Sequence, residues 1–260
     1  MNKAEFPPNL LPILLIFSIP CVLLCLMLPL YHPEFVTLKL LAVITLLAVN
    51  TLMAFFLQLW RTMQFTRRMF YFASVRLPSR LQTVVDELEI APSKMLFLPT
   101  EEPFALCFGF FKPRICLSMG LMDLLSQEQL KAALSHEEYH RRQFDPLRIL
   151  IGSVLSRTFF FLPISQRLYD RFTTDLEMKA DQYAIQQVGK AALAGALHLL
   201  LTMPPSTAAL LGKTAVVGFT VSSERVAALL GDRSSSNQLS FQSALYSLAV
   251  LISLGVFILV

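Results

Sequence analysis

A chain of 260 residues can hold a membrane-embedded part and one compact domain, and little more. With 55% hydrophobic and only 15% charged residues, its composition is that of a membrane protein, not of a disordered or ordinary water-soluble one. A formal charge of +4 is too modest to signal nucleic-acid binding, and four cysteines without regular spacing form no disulfide framework and read as free thiols.

Residues 10–31 carry no charge. The run is long enough to cross a bilayer, which takes about 20 apolar residues. Its prolines, Pro12, Pro20 and Pro29, are tolerated in membrane helices. No small-residue cleavage site follows, so the run does not read as a secretory signal. Tyr31-His32-Pro33-Glu34 reads as a tight turn, and residues 40–60 as a second uncharged span. Together they predict a transmembrane helical hairpin over residues 1–62, with Lys39 snorkelling near its outer end. Arg61, Arg67, Arg68, Arg76 and Arg80 follow at once. Positive residues beside a membrane end mark the cytoplasmic side, so everything after Arg61 is expected there.

Residues 63–239 are expected to form one cytoplasmic domain, mainly helical with a small antiparallel sheet. Residues 78–88 read as a short amphipathic helix with Leu81, Val84, Val85 and Leu88 on one side. Residues 95–98, 105–110 and 114–117 read as strands, the last two joined by a turn at Phe111-Lys112-Pro113. An edge strand of such a sheet can accept a peptide as a further strand, whatever the peptide's sequence.

The motif that organises the chain comes next, in Ser135-His136-Glu137-Glu138-Tyr139-His140. Two of only 4 histidines stand four residues apart, with a carboxylate directly after the first. On a helix, positions i and i+4 share a face, so His136 and His140 can reach one metal ion together. Glu137 then sits beside that face, placed to take the proton of a water polarised by the metal. A capping box at Ser126-Gln127-Glu128-Gln129 and the apolar stripe of Leu130, Ala133 and Leu134 predict the helix. Asp145-Pro146 should end it and cap the next one. The bland alternative is a solvated helix surface with two incidental histidines.

Catalytic zinc sites commonly use three protein ligands, leaving one position open. The best third candidate is Glu177, in Asp175-Leu176-Glu177-Met178-Lys179-Ala180-Asp181 on a helix over 165–188 ended by Gly189. Asp181, one turn on, can accept the outer N–H of a ligand histidine. Between the two helices, residues 146–162 are strongly apolar but short for a crossing. They are expected to pack on the domain or lie at the membrane surface, with partial insertion as the second choice. Residues 203–206 read as a loop, 223–230 as a late helix and 231–240 as a polar linker. Residues 240–260 are expected to end the chain as a transmembrane or membrane-packed helix.

His-Glu-x-x-His followed by Glu-x-x-Ala-Asp resembles the membrane-embedded gluzincin metallopeptidases. The most similar pattern is that of the beta-lactam-sensor antirepressor peptidases of BlaR/MecR type. The CAAX prenyl protease and heat-shock membrane protease family shows a related one. The run from Phe104 through Pro113 to Ser118, the Asp-Pro-Leu-Arg after the motif and Phe161-Leu162-Pro163 also fit. The resemblance covers about residues 75–230. It implies that His136, His140 and Glu177 bind zinc, that Glu137 is the catalytic base, and that Asp181 orients a ligand. The sensor proteins also carry an extracellular penicillin-binding domain; with no room for one here, antibiotic sensing is not expected.

The expected function is therefore a zinc metalloendopeptidase in a bacterial inner membrane, multi-pass, with its active site facing the cytoplasm. Its partners would be a protein or peptide substrate and the lipid bilayer, with no nucleic acid. The alternative is a non-catalytic, metal-binding membrane regulator. A transporter ranks last, because the predicted spans are nearly free of polar groups. Tyr183 and His198 are considered as oxyanion donors, with His198 read as a core residue and neither adopted.

Overall fold

The computed structural model describes residues 36–72, 76–202, 217–218, 225 and 241–259. The first arm of the expected hairpin, its turn with His32, and the loop at 203–206 lie outside the described residues.

Helix α1, Val36–Phe72, contains neither Gly nor Pro, so nothing in it interrupts the backbone ladder. Its 37 residues extend for about 55 Å, well beyond a hydrocarbon layer of about 30 Å. Leu41, Ile44, Leu52 and Phe56 point outward, each more than half exposed. Among the described residues this is the one helix long and apolar enough to cross a membrane, and almost none of it is buried in the protein. A core helix would bury that surface; this one leaves it exposed. Beyond the expected boundary at residue 62 the helix runs straight into the domain, where Phe65 packs on the sheet.

Short helix α2, Ser79–Glu87, buries Leu81, Val84 and Val85 as its amphipathic pattern predicts. Arg80, the last of the positive cluster, donates to the carbonyls of Met122 and Leu125 and closes the end of a later helix. Strands β1 (Met95–Leu98), β2 (Ala105–Phe108), β3 (Arg114–Ser118) and the two-residue β4 (Val217–Gly218) form a sheet in the order β1-β3-β2-β4. The predicted turn joins β2 to β3 as an antiparallel pair, and Gly109, at φ 94, supplies its left-handed residue.

The expectation of an antiparallel sheet needs correction. β3 inserts between β1 and β2 and runs parallel to β1, so the sheet is mixed. The loop after β1 makes this possible: it crosses over and sets β2 one place away rather than folding back as a hairpin. Strands β1, β2 and β3 bury both faces by alternation. Met95, Phe97, Ala105, Ile115 and Leu117 face the main core, while Leu98, Leu106, Phe108 and Cys116 face Phe65 of α1.

Helix α3, Met119–Leu124, leads to α4, Gln127–Arg142, which carries the motif. Ser126 closes the predicted capping box with Gln129. Ser126→Ala should lower stability by about 1 kcal/mol, read as a drop in thermal midpoint. An unchanged midpoint would mean that the box carries no load. α4 is no solvated surface: Leu130, Ala133, Leu134, His136, Glu137, Glu138 and His140 are all buried. Helices α5 (Asp145–Thr158), α6 (Pro163–Val188) and α7 (Lys190–Leu201) follow. α6 stops at Gly189, at φ 102. Helix α8, Phe241–Leu259, packs along α6 and α1 rather than standing alone.

α4 lies against the sheet on one side and against α6 and α7 on the other. α5 docks along α1, where Ala54 meets Ile149, Leu150 and Val154. The motif helix therefore sits at the middle of the domain, flanked by the sheet, α6 and α7, with α5 linking it to α1.

Candidate metal centre

One turn of α4 puts His136 and His140 on the same face, with both Nε2 atoms aimed at a common point. They lie 3.0 Å apart. Glu177 approaches from α6, with one carboxylate oxygen 3.3 Å from His136 Nε2 and the other 3.5 Å from His140 Nε2. His136, His140 and Glu177 each offer one ligand atom within 4.8 Å of the others. Both histidines are wholly buried, while Glu177 retains a partly exposed side chain.

Each imidazole is held from behind. Asp181 accepts from His136 Nδ1 at 2.9 Å, and Asp145 accepts from His140 Nδ1 at 2.8 Å. An ionised carboxylate can only accept, so both Nδ1 atoms carry the proton and a neutral ring presents a lone pair at Nε2. Two such lone pairs 3.0 Å apart repel unless a proton or a cation lies between them. The donor set thus fits a divalent metal: two imidazoles in the ligating tautomer, a carboxylate, and a carboxylate behind each ring.

The charges follow from this packing. Burial and the Arg225 cation push His136 down, but hydrogen bonds to Asp181 and Glu177 outweigh them and lift it from 6.5 to about 9. Burial lowers His140, only partly offset by Asp145. Burial alone would raise Glu177; His136, His140 and Arg225 reverse this and hold it below its ordinary value. Burial would raise Asp181 too, but His136 and Arg225 outweigh it and bring its carboxyl to about 2.

A metal must displace the His136 proton, and His140 holds none to lose at neutral pH. Affinity should therefore rise with pH, about tenfold per unit, and level off near 9. Calorimetric titration across that range checks it; a flat profile would contradict the lifted His136. Without metal, the same proton is a source of stability. The folded-state value is raised, so this contribution is complete below 6.5 and is lost as pH rises through about 9.

Asp145 corrects the sequence reading. It is not the cap of α5; Phe144 holds that position, in the left-handed region at φ 55. That conformation costs a bulky residue about 1–3 kcal/mol. It turns the chain sharply enough to send Asp145 back beneath His140, where Arg148 also binds it at 2.6 Å. The signal was present: an Asp five residues after the second histidine, next to a proline. Arg225 was missed altogether. It is fully buried, donates to both oxygens of Asp181, and lies 3.4 Å from Glu177. A single arginine 89 residues beyond His136 carries no local pattern that could have flagged it.

Glu137 is wholly buried on α4. Its charge, after burial itself, raises the thiols of Cys107 on β2 and Cys116 on β3. Both thiols are free and buried, and neither belongs to the cluster. Tyr183 is half-buried against Tyr139, with ring centres 5.6 Å apart. His198, expected in the core, is exposed on α7 because the apolar face of that helix is carried by Leu193, Ala196 and Leu197.

The family model of the BlaR1 peptidase M56 matches residues 30–215. That span takes in α1, strands β1 to β3, the motif helix and both helices that bring carboxylates to it. No curated protein matches the chain. A match over most of the sequence, centred on a His-His-Glu cluster with a bilayer-length helix beside it, shows a membrane-associated peptidase: the chain belongs to the BlaR1 peptidase M56 family.

Proposed function

We propose that this protein is a zinc metalloendopeptidase of a bacterial inner membrane, multi-pass, working on the cytoplasmic side on cytoplasmic or membrane proteins. One observation carries the reading: His136, His140 and Glu177 converge within bonding reach of one cation, and Asp181 and Asp145 lock both imidazoles in the ligating tautomer. Residues 1–62 form the membrane hairpin, 63–239 the peptidase domain and 240–260 the closing membrane helix.

When bound, zinc supplies Lewis-acid polarisation of a water molecule and of the scissile carbonyl. His136, His140 and Glu177 hold it. Glu137 takes the proton from the water and returns it to the leaving amine, so no covalent intermediate is needed. Burial of Glu137 excludes competing solvent and strengthens that exchange. A ligand carboxylate on a second helix makes the arrangement gluzincin-like, and that is the point of contact with the CAAX and heat-shock membrane proteases.

The test is a comparison of membrane and cytosolic proteomes from cells carrying the wild type or Glu137→Gln. New N-termini restricted to the wild type identify substrates, and with them a role in regulation or quality control. Identical proteomes, with zinc bound in both, would replace the reading by a non-catalytic metal-binding regulator.

A further inference from the structure

The α5–α6 hairpin has a feature that neither the metal centre nor the core requires. Its turn is Phe159-Phe160-Phe161-Leu162, and Phe160 is 74% exposed. Leu155 and Ile151, one and two turns earlier on α5, also face outward, each more than half exposed. A soluble domain would bury such a run or replace it.

Its neighbours show what covers it. Asn50 of α1 donates to the carbonyls of Arg157 and Thr158 at 3.4 and 3.3 Å, and Thr158 donates to Thr51 at 3.1 Å. On the other side the backbone N–H of Ile164 donates to Ser247 of α8 at 3.1 Å. Asn50 stands midway along the uncharged stretch from residue 40 to residue 60. Near the far end Lys39 lies 5.7 Å from the ring centre of Phe257. From there to the hairpin turn is 11 residues along α1 and 10 along α8, about 15 Å by either path. The two measures agree, and both put the turn alongside helix faces whose outward residues, Leu52, Phe56 and Leu248, are apolar and exposed.

Charge sets a limit on depth. Arg157 precedes the turn; Arg167, Asp170 and Arg171 follow within two to three turns, all exposed. None of them tolerates the middle of a bilayer, but arginine stems reach several ångströms to the headgroups. An aromatic tip flanked by arginines is the chemistry of an interfacial anchor on an anionic leaflet.

We infer that the α5–α6 hairpin is a membrane-inserted element. Residues 159–162 enter the acyl chains of the leaflet on the Arg61 side, beside α1 and α8, while Arg157, Arg167 and Arg171 engage the lipid headgroups. The metal centre lies at the other end of the same two helices. Asp145 is 13 residues before Thr158 and Glu177 is 13 after Ile164, about 20 Å in each case. The hairpin therefore holds the centre at a fixed height just beneath the bilayer. If the proposed hydrolysis is right, the substrate bond is one that lies close to the membrane surface; the insertion itself does not depend on it.

Trp60 is the only tryptophan, which makes depth measurable. The full chain carrying Trp60→Phe and Phe160→Trp is placed in vesicles of phosphatidylethanolamine and phosphatidylglycerol, with lipids brominated along the acyl chains. The tryptophan should lose most of its emission to the bromines and resist acrylamide in the water. The control is Phe111→Trp in the same background. Phe111 is 82% exposed in the β2–β3 turn and should show the opposite pattern. Leu155→Trp gives a second, shallower reading should the first variant fold poorly. Acrylamide quenching at position 160 without bromine quenching would overturn the inference, as would equal bromine quenching at 111 and 160. Neither readout depends on catalysis, so inactivity of the enzyme would sink the proposed hydrolysis and leave the insertion standing.

Discussion

Replacing Glu137 with Gln should leave metal content unchanged and lower peptide hydrolysis by about 10²–10⁴-fold, the usual contribution of a positioned general base. In barrier terms that is about 3–5 kcal/mol. The side chain is wholly buried on the motif helix, and the amide has nearly the same shape, so the fold should survive. The two measurements separate the roles assigned to the motif. Loss of metal together with activity would make Glu137 a structural part of the centre. Retention of both would remove it from the chemistry. The expected split, metal kept and turnover lost, belongs only to a group that handles the proton. Zinc content by atomic absorption and turnover of a denatured casein substrate are sufficient to decide.

Arg225→Met should destabilise the metal-free protein by about 3–5 kcal/mol, the cost of leaving a buried carboxylate without its partner. Arg225 is 1% exposed and serves both Asp181 and Glu177. Without it, two acids would face His136 in a dry interior. The proton on His136 compensates for only one of them, which is why Asp181 is held near 2 only while both cations are in place. Zinc would restore positive charge at Glu177, so the loss should be smaller in the metal-loaded protein. Thermal unfolding with and without chelator gives the comparison. Equal losses in the two states would show that Arg225 acts by packing and not by charge.

Much of the site was legible in the residues themselves. His136 and His140 are four apart on a helix whose start is written in Ser126 and Gln129, and helical spacing is local physics. Glu177 and Asp181 repeat the same spacing on a second helix. A residue type at the right period, in a segment with clear caps, needs no tertiary information to be placed on a face. Burial of Leu81, Val84 and Val85 followed from pattern in the same way.

What escaped the pattern depends on contacts between distant segments. The order of the strands is one case. Three short apolar runs can be threaded antiparallel or mixed, and the choice rests on where a loop crosses, which no period records. Asp145 is another: as a helix-starting residue it looks like a cap, and only the left-handed turn at Phe144 aims it at His140. Arg225 is the extreme case. Its partner Asp181 is 44 residues away, and nothing in its own neighbourhood distinguishes it from a surface arginine.

The sequence alone determined the bilayer-length span, the motif helix and the ligand types, because hydrophobic run length and helical periodicity act within a few turns of backbone. Tertiary structure alone decided that the carboxylate of Asp145 stands behind His140, that Arg225 neutralises the acids beside His136, and that an aromatic hairpin rises beside α1. Those relations arise when chain segments tens of residues apart share one dry interior, where every buried charge must find its partner in space rather than along the chain.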